Sequence, residues 1–236
     1  MKAIILAAGR GSRLGDLTRD YPKCLIPIYG ELSSLDMIID GLENNGIRGK
    51  SIVIVVGYMG DVIGLKYSES HEIVVNDVPE YENCYSLYLA LKKIRGRFIL
   101  INSDVVTNRM DVVIARMLRE RISKMAISVS DVNEESMKVG IDRIGRITGI
   151  EKGIIDYLGE YAGVCYLDSY NASQVRKYIN RNIEKFKRNW YESAIQSTII
   201  VKGIEIYPEI IPEWIDEVDT LEDLERVRRI FKGGHP

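Results

Sequence analysis

Short apolar runs alternate with segments of helical period through the first 130 residues, and this alternation leaves the chain few architectures. Ser51-Ile52-Val53-Ile54-Val55-Val56 and Phe98-Ile99-Leu100-Ile101-Asn102 show no polar alternation, as expected of strands covered on both faces. Strands are predicted at 2–7, 51–56, 72–76, 98–102 and 124–130, and helices over 34–45, 60–68, 85–94 and 109–121. The β-α-β-α order specifies a mostly parallel sheet with helices on both faces. Ligands of such sheets bind beyond the carboxyl ends of the strands, so the residues just after Ala7, Asn76 and Asn102 matter most.

The second half changes character. Segments 138–142 and 146–151 flank Arg143-Ile144-Gly145 and predict a hairpin. A strand at 161–167, helices over 169–182 and 189–200, a strand at 203–207 and a helix at 221–231 follow. No internal repeat or low-complexity linker divides the chain. The fold class is α/β: a Rossmann-like three-layer α/β/α arrangement with a mostly parallel mixed sheet, in one domain over residues 1–236.

Charge narrows the chemistry. A formal net charge of −2 provides no global field for DNA or RNA, so no nucleic-acid partner is expected. No apolar run reaches membrane-spanning length, and no membrane insertion is expected. The segment Met1 to Gly9 is too short for a signal sequence and runs into Arg10 and Arg13, which places the protein in the cytoplasm. Cys24, Cys84 and Cys165 lack paired metal spacing and are expected to be reduced. With only His71 and His235, the latter near the chain end, histidine-based triads and zinc sites are disfavoured. Lysines, arginines, carboxylates and a bound metal remain. Lys2, Arg10, Arg13, Arg19 and Lys23 cluster near the start against only Asp16 and Asp20.

Leu6-Ala7-Ala8-Gly9-Arg10-Gly11-Ser12-Arg13-Leu14 follows the first strand. Glycines allow positive φ and close backbone approach, and successive N–H groups bind phosphate oxygens. A dinucleotide-binding loop requires glycine or alanine where Leu14 stands, and an acid ending the next strand. Neither is present, and no Lys-Ser/Thr pair follows the glycines as a Walker loop requires.

That segment, with Leu17-Thr18 and Pro22-Lys23, resembles the signature of the sugar-1-phosphate nucleotidyltransferases, and within them the phosphocholine and inositol-1-phosphate cytidylyltransferase branch. Asp16 stands where many members have proline. Asn83-Cys84-Tyr85-Ser86-Leu87, Ser103-Asp104, Glu151-Lys152, Glu160-Tyr161-Ala162-Gly163 and Trp214 to Thr220 resemble further motifs in the family's order. The resemblance implies the nucleotide-diphospho-sugar transferase type of fold. Residues from about 1 to 130 would bind nucleotide, and those from about 131 to 236 would bind acceptor and supply a second metal aspartate. The partners it implies are a nucleoside triphosphate, CTP favoured, and a phosphorylated small alcohol; the implied cofactor is Mg²⁺.

A phosphate monoester is mostly a dianion at neutral pH, so the implied nucleophile needs no general base. Positive charge around the α-phosphate is the main requirement. The resemblance assigns Lys23 to the α-phosphate and Arg13 to the β and γ phosphates. Leu6, Ala7, Ala8, Gly9, Arg10, Gly11 and Ser12 form the nucleotide loop, and Asn83 and Ser86 face the base. On the acceptor side it places Lys152 at the phosphate, with Glu160, Tyr161 and Gly163. Trp190 is a candidate aromatic face for a quaternary ammonium, and Glu192 a contact for hydroxyls or an ammonium. Asp104 and Asp219 are the expected Mg²⁺ ligands; read without the family pattern, each is first a helix cap. Inositol 1-phosphate, phosphocholine and similar acceptors stay open, as do UTP, dTTP or GTP with a sugar 1-phosphate, a non-catalytic regulatory module of the same fold, and a homodimer.

Overall fold

A computed structural model describes residues 1–78, 80–130 and 132–233; His235 lies outside them. Strand β1 (Lys2–Ala7) leads through a 3-10 turn at 12–14, a short helix α1 (Leu17–Asp20) and a second 3-10 turn at 23–25 to a small hairpin, β2 (Pro27–Tyr29) and β3 (Leu32–Ser33). Then come α2 (Ser34–Asn44), β4 (Ile52–Val56), α3 (Gly60–Tyr67), β5 (Glu72–Val75), α4 (Asn83–Lys93), β6 (Phe98–Asn102), β7 (Val105–Val106), α5 (Met110–Arg119) and β8 (Lys124–Ser128). The second half contributes β9 (Lys138–Ile141), β10 (Ile147–Ile150), β11 (Gly159–Leu167), α6 (Ser169–Phe186), α7 (Tyr191–Lys202), β12 (Tyr207–Ile210), β13 (Asp216–Glu217) and α8 (Leu221–Phe231).

One sheet runs through both halves in the order β10-β9-β11-β6-β1-β4-β5. Strands β6, β1, β4 and β5 are parallel, and β11 joins β6 antiparallel. Strand β8 pairs antiparallel along the other edge of β11, and β12 pairs parallel with β8. The sheet is therefore mixed but mostly parallel at its centre, with helices on both sides.

The period-2 pleat explains the layers. Ile4, Leu6, Val53 and Val55 face one core with α4, α6 and α7. Ala3, Ile5, Ile52 and Ile54 face the other with α2, α3 and α5. A third cluster, with Leu14, Ile26, Val106, Val218 and Leu224, packs the glycine loop and α8 together.

The predicted strand at 203–207 is displaced. Ile204 and Ile206 are buried, but the ladder with β8 begins only at Tyr207, whose N–H bonds to the Ser123 carbonyl. Helix α6 runs to Phe186 through a non-helical Asn182, four residues beyond its expected end. No helix among the described residues is long and apolar enough to cross a membrane.

Candidate active site

The glycine loop lies at the carboxyl end of β1. Gly11 has φ +64, and a Cβ there would stand 2.8 Å from Lys23 Cβ, so glycine is what lets the Lys23 stem pass. Thr18 Oγ1 donates to the carbonyls of Gly11 and Gly15 at 3.2 and 3.1 Å and closes the loop. Leu6 and Ala7 are buried, Ala8 and Gly11 half-buried, and Gly9, Arg10 and Ser12 exposed. The Arg10 guanidinium lies 5.3 Å from the Tyr58 ring centre.

Asp104 follows β6. The β7–β13 ribbon and a 3.1 Å bond from Val218 N–H to the Asp104 carbonyl bring the chain near 219 back to it. Thr220, not Asp219, is the N-cap of α8, in a capping box with Asp223. The Asp219 carboxylate is thereby spared for the site. Lys23 Nζ donates to Asp104 Oδ2 at 2.8 Å and also to Asp219 Oδ1, while Arg13 Nη2 reaches Asp219 Oδ2 at 2.7 Å. Burial alone lowers the Lys23 pKa, but the two carboxylates outweigh it and hold the amine above its ordinary range. Lys23 is therefore a fixed positive charge.

Sequence reasoning missed Glu217, although it lies inside the Trp214-to-Thr220 segment. Asn102 Nδ2 donates to its Oε1 at 3.5 Å, and burial together with Asp104 and Asp219 raises its pKa well above the carboxylate range. Gly163, at φ +69, makes room for it: a Cβ would meet Val105 Cγ2 at 2.5 Å and Glu217 Oε1 at 2.9 Å. Gly163→Ala should lower stability by about 2–4 kcal/mol, from left-handed strain plus overpacking. A urea midpoint equal to that of the wild type would contradict this.

The acceptor side is assembled separately. Lys152 Nζ pairs with Glu135 Oε2 at 2.6 Å and lies 5.2 Å from the Trp190 ring centre. Lys152, with Arg13 adding to it, holds the Glu135 carboxyl below its usual range, so Glu135 lies in the field of both cations. Glu160 is half-buried on β11, opposite Ser128 and Lys138. Tyr161 and Tyr191 are buried with their hydroxyls 2.9 Å apart, and Tyr191 also donates to Asn102 Oδ1 at 3.0 Å. Asn83 Oδ1 accepts from Tyr191 N–H at 2.8 Å, and the buried Ser86 accepts from Asn76 Nδ2 at 3.0 Å. Both residues expected near the base thus hold partners within the protein.

Glu192 is only 6 % exposed, and its Oε2 has no hydrogen-bond partner among the described residues. Burial carries its pKa to about 7; hydrogen bonding to the backbone, Tyr191 and Asn83 holds it down, and Asp104 pushes it up. Its folded pKa lies above the ordinary glutamate value, so wild-type stability falls as pH rises from about 4.5 to 7. Glu192→Gln should gain at most about 3 kcal/mol over wild type above that window and nothing below it. Urea midpoints on either side of the window check this, and a gain independent of pH would refute it. The thiols offer no nucleophile, since burial pushes Cys24 and Cys84 up to about 12.

Metal capacity rests on few groups. No cluster of three or more His, Cys, Asp or Glu side chains suited to a metal occurs among the described residues. Asp104 Oδ1, however, is buried with no hydrogen-bond partner among the described residues, and Asp104 shares Lys23 with Asp219. One or two carboxylates with open positions suit Mg²⁺, which takes its other oxygens from phosphates and water.

The chain is 29 % identical over 234 residues to a bifunctional IPC transferase and DIPP synthase of Aquifex aeolicus, matching 96 % of this chain and 51 % of that one. It thus spans about half the length of that relative. It is 26 % identical to the choline-phosphate cytidylyltransferase of Streptococcus pneumoniae, over 98 % of this chain and 99 % of the relative. The inositol-1-phosphate CTP transferase of T. maritima shares the fold, with a TM-score of 0.80 at 22 % identity, over 100 % of this chain and 97 % of that one. The pattern of the MobA-like NTP transferase domain matches residues 3–163, and the chain belongs to that family.

Proposed function

We propose that the protein is a Mg²⁺-dependent cytidylyltransferase that couples CTP to a small phosphorylated alcohol. An oxygen of the acceptor phosphate attacks the α-phosphorus of CTP. The bond from that phosphorus to the bridging oxygen breaks, leaving a CDP-alcohol and pyrophosphate. The observation that carries this reading is the Lys23 ammonium held between Asp104 and Asp219 at the mouth of the glycine loop. It supports the reading because a fixed ammonium at this loop suits a phosphate that gains negative charge during reaction, and a dianionic acceptor phosphate needs no general base.

Lys23 meets the α-phosphate. Arg13, 68 % exposed, is available to the outer phosphates together with the backbone of Gly9 and Gly11. Lys152, steadied by Glu135 and the Trp190 face, orients the acceptor phosphate. Asp104 and Asp219 would hold Mg²⁺, which supplies charge neutralisation on the phosphates. CTP is supported by the near-full-length similarity to a protein named choline-phosphate cytidylyltransferase and by the Asn83 to Leu87 segment. The three free, buried cysteines agree with a cytoplasmic setting.

The test is pyrophosphate release with each nucleoside triphosphate against phosphocholine, inositol 1-phosphate and several sugar 1-phosphates. Release that needs CTP and one phosphorylated alcohol together is expected. Release with UTP, dTTP or GTP and a sugar phosphate would replace the reading. Silence from folded, triphosphate-binding protein would remove catalysis with these acceptors.

A further inference from the structure

We propose that the cleft between α4 and α6 is a second anion site, built to take a phosphate group and separate from the active site. Residues 83–97 contain Lys92, Lys93, Arg95 and Arg97 and no acid. Residues 169–188 contain Arg176, Lys177, Arg181, Lys185, Lys187 and Arg188 against Glu184 alone. A chain with a net charge of −2 thus gathers a strong excess of cations on two segments, and the helices they form pack side by side. Charge of one sign concentrated on one face attracts the opposite sign.

Between these helices lies a cavity of about 260 Å³, lined by Tyr88, Leu91, Lys92, Arg95, Arg176 and Lys177. Its four basic side chains make no ion pair with a carboxylate among the described residues, whereas Lys23, Lys124, Arg146 and Arg226 each engage two. The guanidinium of Arg95 is held in place, with Nη1 donating to the Ile94 carbonyl at 2.7 Å and the Lys92 carbonyl at 3.2 Å. That bond closes the C-terminal end of α4 and accounts for Arg95 alone. It does not account for Lys177, nor for Arg176, whose Nη2 donates to the Gly96 carbonyl at 3.4 Å while its Nε is shielded from solvent with no hydrogen-bond partner among the described residues. Burial and the charge of Arg95 both weigh against the Arg176 cation, and an anion between them would relieve that repulsion.

Position separates the cleft from the reaction. Arg95 and Gly96 precede β6, which runs from there to Asn102 just before Asp104. The cleft therefore lies at the amino end of the strand whose carboxyl end serves the active site. Guanidinium pairs are suited to phosphate oxygens, and the Tyr88 and Leu91 walls accept a small organic group attached to the phosphate.

The experiment is a titration of the ¹⁵N-labelled protein with inorganic phosphate, read at backbone amides. Shifts at Leu91–Gly96 and Arg176–Lys177 are expected, with the apparent affinity falling about tenfold or more in Lys92→Ser/Arg95→Ser. Lys92→Ser/Lys177→Ser, which keeps the helix-closing Arg95, should lose affinity too, so a folding defect in the first variant would not decide the matter. A parallel arm follows sedimentation with phosphatidylcholine vesicles doped with phosphatidylglycerol. Variant-sensitive shifts with phosphate identify a soluble phosphate as ligand, and variant-sensitive sedimentation alone identifies a lipid headgroup. Shifts confined to the glycine loop, or binding unchanged in both variants, would overturn the proposal.

Discussion

Lys23→Ala should slow pyrophosphate release by about 10²–10³-fold, the loss seen when a preorganised group that stabilises developing negative charge is removed. The effect should fall mainly on kcat, because the charge matters most when the α-phosphate is most negative. Two structural facts set the size. Lys23 is largely buried, at 12 % side-chain exposure, so its charge is poorly screened. Its ammonium is also pinned by two carboxylates, so little reorganisation is needed during reaction. The same pinning adds a stability effect. Without Lys23, Asp104 and Asp219 face one another with Glu217 beside them. Each aspartate keeps about a quarter of its exposure, so the penalty is well below that of a fully buried pair and should be about 1–2 kcal/mol. Rate measurements at a temperature where the variant is folded separate the two effects. A folded Lys23→Ala protein with wild-type turnover would remove the mechanism.

Much of this arrangement is legible in the sequence because the strands that carry it are buried on both faces. Val53 to Val56 and Phe98 to Ile101 read as strands at once, and the loops after β1 and β6 then hold Lys23 and Asp104. Elements of two or three residues, such as β2, β3, β7 and β13, have no period to detect: β2 and β3 close a local hairpin, while β7 and β13 form only because distant chain segments meet. The displaced strand has the same origin. Ile204 and Ile206 alternate as a strand would, yet partner β8 begins at Lys124 and pairs only from Tyr207 onward.

The site divides along similar lines. The loop glycines stand out by local spacing, whereas Asp219 enters only through the family resemblance; its local reading as a helix cap falls because Thr220 takes that role. Glu217, Asn102 and Glu135 were not readable. Their significance comes from neighbours more than 16 positions away: Asn102 for Glu217, Tyr191 for Asn102 and Lys152 for Glu135. Asn83 and Ser86 show the opposite case, since local motif alone gives no sign that Tyr191 and Asn76 engage them.

Asp104→Asn should raise the Mg²⁺ concentration needed for half-maximal activity and lower the maximal rate by about 10²-fold or more, since a bound divalent ion contributes several kcal/mol of charge stabilisation. The substitution preserves the size of the side chain, and with it the packing of Ser103 and Val105. It removes one of the two negative charges facing Lys23 and converts the unpartnered Oδ1 position into a neutral amide site. Asp216→Asn is the matched control: Asp216 lies three residues before Asp219 but is committed to Arg226, at 2.9 Å, and turned from the Lys23 cluster. Its Mg²⁺ titration should match wild type. Weaker Mn²⁺ binding to Asp104→Asn, followed directly by the ion's spin-resonance signal, should accompany the kinetic shift. If Asp104→Asn loses rate while its Mg²⁺ titration and Mn²⁺ affinity stay unchanged, Asp104 serves only as the counter-ion that positions Lys23. The metal would then have to be held by Asp219 and the substrate phosphates without it.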